Sequence, residues 1–161
     1  GKKFLSGAHP VVKHIVGGWQ LATITSIRTG NPFTPSFTAT QTGWRGGRAS
    51  VVAGANLYPS NQTLDQWFNP AAFSIPAPFT WGNAARGMLF LPGEIMIDAS
   101  VLKDFTLYER FKMQFRAEAF NMPNHPNWGG PASNISTTAT VGKISSRGQE
   151  RQVQFGLKIL F

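Results

Sequence analysis

The sequence predicts an all-β protein, an antiparallel sheet interrupted by a long irregular loop region. Three observations carry this. Apolar and polar residues alternate with period two in "EIMIDASVLKDF", "KMQFRAEAF" and "RQVQFGLKILF", the mark of a strand with two unlike faces. Charged residues make up only 14% of the chain while aromatics reach 12%; ordinary soluble domains carry roughly 25% charged residues. Finally, 17 glycines and 11 prolines punctuate the sequence. That composition suits short strands and turns, and it lacks the Glu and Lys that surface helices need on their wet faces.

The elements follow in order. Residues 1–18 are mixed and end in Gly17-Gly18. In "WQLATITSIRTG", Trp19, Leu21, Thr23, Thr25 and Ile27 share one face, and Gln20, Ala22, Ile24, Ser26 and Arg28 the other. Gly30-Asn31-Pro32 turns the chain, and "FTPSFTAT" continues it in extended form. Residues 43–93 are rich in Gly, Pro and Asn and read as one long loop; connections of this length are usually functional. Within it, "TLDQWFNPAAF" predicts one short helix capped by Thr63 with Gln66 three residues on, limited by Pro70. Strands return after Gly93. Ile95, Ile97, Ala99 and Val101 oppose Met96, Asp98, Ser100 and Leu102, and Met113, Phe115, Ala117 and Ala119 oppose Lys112, Gln114, Arg116 and Glu118. A short link around Tyr108–Phe111 suits a hairpin. "NMPNHPNWGGP" is turn-rich, and "TVGKISSRGQERQVQFGLKILF" gives a short strand, a loop near Gly148 and a final strand. The strand-rich parts are thus 17–42 and 94–161, around the loop 43–93.

Composition excludes several functions. Net charge is +8, but the Lys and Arg are scattered and no RNA-binding aromatic signature appears, so no nucleic-acid partner is expected. Without cysteine there is no disulfide, thiolate zinc site or Cys nucleophile. No stretch approaches the ~20 apolar residues of a membrane-spanning helix, and no signal peptide opens the chain. His9, His14 and His125 do not form a metal set, and no metal or cofactor is expected. No Ser-His-Asp order with a nucleophile elbow appears, so no catalytic site is expected. Asp98, Glu118 and Arg116 read as charges paired across strands rather than as acid/base groups. "GWRGGR" lacks the GK[ST] ending of a phosphate loop and reads as a basic surface loop.

The final strands pair an apolar face with a polar one. A soluble sandwich gives this pattern, and so does a membrane barrel with lipid outside and a polar lumen inside. Low charge and an ending on an aromatic, Phe161, favour the membrane.

Taken together, "GGWQLATITSIRTGNPFT", "LDQWFNPAAF", "FTWGNAARGMLFLPG", "IDASVLKDF", "MQFRAEAFNMPNHPNWG" and "RQVQFGLKILF" resemble the C-terminal barrel segment of TonB-dependent outer-membrane receptors, of the Oar-like group with a carboxypeptidase-regulatory-like domain. The resemblance spans residues 17–161. It implies part of a transmembrane β-barrel in the bacterial outer membrane, serving a receptor or transporter for an unidentified ligand. It implies that Val153, Phe155, Leu157, Ile159 and Phe161 form the signal read by the barrel-assembly machinery. It also makes Arg45 and Arg48 candidates for contact with lipopolysaccharide phosphates, and Trp19, Phe33, Trp67, Trp81 and Trp128 candidates for aromatic girdles where they lie at strand ends. Such receptors have a plug and about 22 strands. At ~10 residues each this chain supplies six to eight, so the expected partners are the remainder of the barrel or copies of the chain at the strand edges, outer-membrane lipid, and TonB through a preceding part. The alternatives are a complete small barrel, a self-assembling fibre or tube subunit, and a soluble sugar-binding sandwich.

Overall fold

In the computed structural model, which describes residues 7, 9–41, 47–108 and 110–161, the period-two segments form the sheet that alternation requires. Four long strands make it up among the described residues: β1 (Trp19–Arg28), β6 (Glu94–Tyr108), β7 (Phe111–Phe120) and β8 (Gln152–Leu160), in the order β1-β6-β7-β8. Between β1 and β6 lie four strands of two residues each: β2 (Pro32–Phe33), β3 (Ser50–Val51), β4 (Phe73–Ser74) and β5 (Leu89–Phe90). They form two small antiparallel pairs, β2 with β5 and β3 with β4.

The chain divides into two compact units. The sheet unit comprises residues 1–26, 95–125 and 150–161; the loop unit comprises 27–94 and 126–149. In the sheet unit β6, β7 and β8 are antiparallel. Ala117 pairs with Val101 on one side and with Phe155 on the other, and Phe115 pairs with Lys103 and Leu157. Tyr108 pairs with Phe111 across the hairpin, with a register irregularity between Thr106 and Tyr108. The sheet is open, with β1 and β8 at its edges.

The loop unit has its own core. Ala49, Phe68, Ala72, Phe73 and Leu89 are buried, with Phe33, Leu57, Tyr58, Met88, Ile135 and Val141 packed around them. Phe68 is fully buried and stands edge-on between the rings of Phe33 and Phe73, each 5.8 Å away. The two connections that build this unit are stitched by backbone hydrogen bonds. Ser36 N–H donates to Ser133 O and Ile135 N–H to Ser36 O; Trp67 N–H donates to Gly142 O and Ile144 N–H to Leu64 O.

Four expectations change. Six to eight strands become four long ones, because residues 121–151 hold only turns and isolated bridges; Asn121 and Asn124 there take left-handed backbone (φ 48° and 55°), which Asn tolerates. The short strand expected after Thr140 is a series of turns. The helix expected from Thr63 is instead a tight turn, in which Thr63 Oγ1 accepts from Gln66 N–H; a 3-10 turn follows at Pro70–Ala72, with Asn69 as its cap. Pro70 thus opens a helical turn rather than ending one, as suits a residue with fixed φ and no N–H to satisfy. Finally, residues 10–16 form a short helix, α1 (Pro10–Val16), which the Val/Ile content of "PVVKHIV" obscures.

Phe68→Ala should unfold the loop unit locally, at a cost of about 3–5 kcal/mol for emptying a fully buried aromatic site. Hydrogen exchange should show faster exchange at Val52, Asn69 and Ala72 with little change in β7.

Candidate functional site: a two-faced sheet and a cleft in the loop unit

Register sorts the sheet into two faces. One carries Ala99, Val101, Lys103 and Phe105 of β6, Met113, Phe115, Ala117 and Ala119 of β7, and Val153, Phe155, Leu157 and Ile159 of β8. Trp19 joins it, its ring edge-on to Phe115 at 6.3 Å, and Phe155 stacks on Phe115 at the same spacing. The large side chains of β8 are open: Phe155 is 73% and Leu157 69% exposed, and Phe161, just beyond the strand, is 91% exposed. A wall of this kind has no solvent-side counterpart in an ordinary soluble domain.

The opposite face is polar. It carries Ser100, Asp104 and Thr106, then Lys112, Gln114, Arg116 and Glu118, then Gln154, Gly156 and Lys158, with Leu102 and Leu160 as its apolar members. Gln114 Nε2 donates to Asp104 Oδ1 at 2.8 Å. Glu118 is ion-paired with Arg116, two residues back on the same strand, and accepts from Gln154 across the ladder. The charge pair therefore runs along β7 rather than between strands. Asp98 holds the turn after β7 instead, its Oδ1 accepting from Asn121 N–H at 2.9 Å.

The loop unit contains a cleft of about 400 Å³. Its walls come from residues 28–31, from Leu91, Pro92 and Glu94, and from residues 127–130 and 146–148. Gly129 N–H donates to Ser146 O, Gly148 N–H to Asn127 O and Leu91 N–H to Asn31 O, which draws these segments together. Gly30 makes the approach possible, since a Cβ there would meet Leu91 O at 1.7 Å. Arg28, Glu94, Trp128 and Arg147 bring charge and one indole to the lining.

The structure places the sequence candidates apart. Val153, Phe155, Leu157 and Ile159 share one face of β8. Arg48 lies in the loop unit and donates from Nη1 to Ala84 O at 3.1 Å; Arg45 lies outside the described residues. His9 Nδ1 accepts from Val11 N–H, while His14 lies against Phe105 and His125 N–H donates to the Asn121 side chain. Among the described residues no three His, Asp or Glu side chains group as metal ligands would. Of the aromatics, Trp19 opens β1 in the sheet, Phe33 packs in the loop core, Trp67 bonds Phe90 O, Trp81 is exposed and Trp128 lines the cleft. Sequence reasoning gave no part to the cleft, whose segments lie far apart along the chain; the Gly129-Gly130 pair in its wall was the one local signal.

The model of the outer membrane beta barrel domain family matches residues 1–154. The chain belongs to that family, and its place is the bacterial outer membrane. No curated protein and no solved structure matches it.

The two faces make a direct contrast. Leu157 lies on the apolar face; Gly156 lies on the other, where an added Cβ would meet only Arg116 Cβ at 4.0 Å. A lysine on the lipid side of a barrel costs about 2–4 kcal/mol near the midplane. Leu157→Lys should therefore lower the urea midpoint of the reconstituted barrel markedly, and Gly156→Lys should change it little. Equal effects would contradict the assignment of faces.

Proposed function

We propose that this chain is the C-terminal barrel segment of a TonB-dependent outer-membrane receptor, a transport protein and not an enzyme. The observation that carries the reading is the continuous, exposed apolar face leading to Phe161, opposed by a polar, hydrogen-bonded face. In an outer-membrane barrel such faces meet lipid and lumen respectively. The hairpin between β6 and β7 is short, whereas residues 29–93 and 121–151 are long. Barrels of this class keep short turns on the periplasmic side and long loops outside the cell, so these two long connections are external loops. The cleft of the loop unit, with Arg28, Arg147, Glu94 and Trp128, is the part of this chain suited to contact an incoming ligand.

The strand edges then pair with the rest of the barrel, since unpaired backbone groups are not sustained in hydrocarbon. Val153, Phe155, Leu157, Ile159 and Phe161 serve as the terminal signal for barrel assembly. Arg48, together with Arg45, meets lipopolysaccharide phosphates. TonB acts through an N-terminal part of the same receptor, and no cofactor is required.

The reading is tested in cells carrying the complete gene. The sequence upstream of Gly1 should encode a plug domain, and the product should cross-link to TonB. Removing Phe161 should reduce the heat-modifiable, assembled form in the outer membrane several-fold. A product that assembles normally yet never cross-links to TonB would overturn the receptor reading and leave the barrel.

A further inference from the structure

Among the described residues, the apolar face carries a single charge, Lys103. Its neighbours on that face are Val101 and Phe105 along β6 and Phe115 across the ladder. Lys103 is nonetheless buried, at 2% exposure. Its ammonium donates to the carbonyls of His14 and Ile15, each at 2.6 Å. It also lies 4.8 Å from the ring centre of Trp19 and 5.0 Å from that of Phe105.

His14 and Ile15 stand in the last turn of α1. Carbonyls there lack partners within the helix and carry its negative end, so they suit a cation. Two further contacts hold the same turn. The Trp19 indole N–H donates to Ile15 O at 3.0 Å, and the His14 ring meets Phe105 edge-on at 6.0 Å. Two carbonyls and two ring faces thus take the place of water around an ammonium whose strand position faces the bilayer.

This clamp fixes α1 on the same side of the wall as Phe155 and Leu157. The helix then turns apolar side chains outward: Val11, Val12, Ile15 and Val16 are 57%, 42%, 61% and 51% exposed. They extend a surface that, in an outer-membrane barrel, already lies against acyl chains.

We propose that α1 is a lipid-contacting helix clamped to the outer wall of the barrel by Lys103, and that bilayer phospholipid covers Val11, Val12, Ile15 and Val16. The proposal rests on the assignment of the apolar face to lipid, and it is independent of TonB.

The chain has no cysteine, so single spin labels can be placed in it cleanly. The probes are Val11→Cys and Ile15→Cys on α1, Phe155→Cys on the wall and Gln154→Cys on the opposite face. They are read with the chain in its complete barrel, in vesicles of phosphatidylethanolamine and phosphatidylglycerol. Labels at 11, 15 and 155 should collide with dissolved oxygen several-fold more than with a water-soluble nickel chelate, and the label at 154 should show the reverse. Lys103→Met should raise chelate access at 11 and 15 several-fold and leave 155 unchanged. If 155 reports lipid while 11 and 15 are open to the chelate in the unaltered clamp, the helix proposal is overturned. Labels at 11 and 15 shielded from both reagents would mean that protein covers α1, which also overturns it. Chelate access at 155 would instead bring down the assignment of the wall itself. The labels on the unaltered clamp decide the matter even where Lys103→Met fails to assemble.

Discussion

A peptide group inside a bilayer must find its hydrogen-bond partner within the protein, because hydrocarbon offers none. The sheet meets this demand by continuous antiparallel pairing, with β7 paired on both sides from Lys112 to Ala119. Everything else about the sheet follows from that ladder. Side chains alternate across it, so register alone decides which residues meet lipid and which meet water. A slip of one residue in β8 would exchange Phe155 and Leu157 for Gly156 and Lys158. The Ala residues opposite Val153 and Phe155 leave room for the larger chains of β8 on the crowded face.

The polar face obeys the same economy of partners. Gln114 with Asp104, and Glu118 with Arg116 and Gln154, satisfy one another beside the backbone ladder. The loop unit meets a different constraint. Without long strands, its backbone groups are satisfied by turns, two-residue pairs and bonds between distant segments, closed over an aromatic core around Phe68.

What the sequence revealed and what it hid divide along physical lines. The long strands were legible because alternation is a local property: β6, β7 and β8 announce themselves in Ile95–Val101, Met113–Ala119 and Val153–Ile159. The Tyr108–Phe111 hairpin was legible for the same reason. Residues 121–151 were harder, since apolar residues such as Val141 and Ile144 there pack into the loop unit rather than pair in a sheet. Thr63 was read as the cap that starts a short helix, but its hydroxyl closes a turn and the helical turn begins at Pro70. The small α1 escaped notice because its seven residues carry no capping box and its β-branched composition favours strand. Lys103 drew no reading from the sequence; only tertiary contact shows that helix carbonyls and aromatic rings surround it. The cleft walls depend on long-range bonds such as Gly129 to Ser146, beyond the reach of periodicity.

The stitching of the two long connections has a mechanical consequence. Surface loops of a barrel are usually free to drift singly, each diverging at its own pace. Here Ser36 bonds to both Ser133 and Ile135, and Trp67 and Ile144 bridge the same two stretches. An insertion in one stretch displaces the hydrogen-bond partners of the other, so a change in either is felt in both. The two stretches therefore behave as one structural module rather than as independent loops.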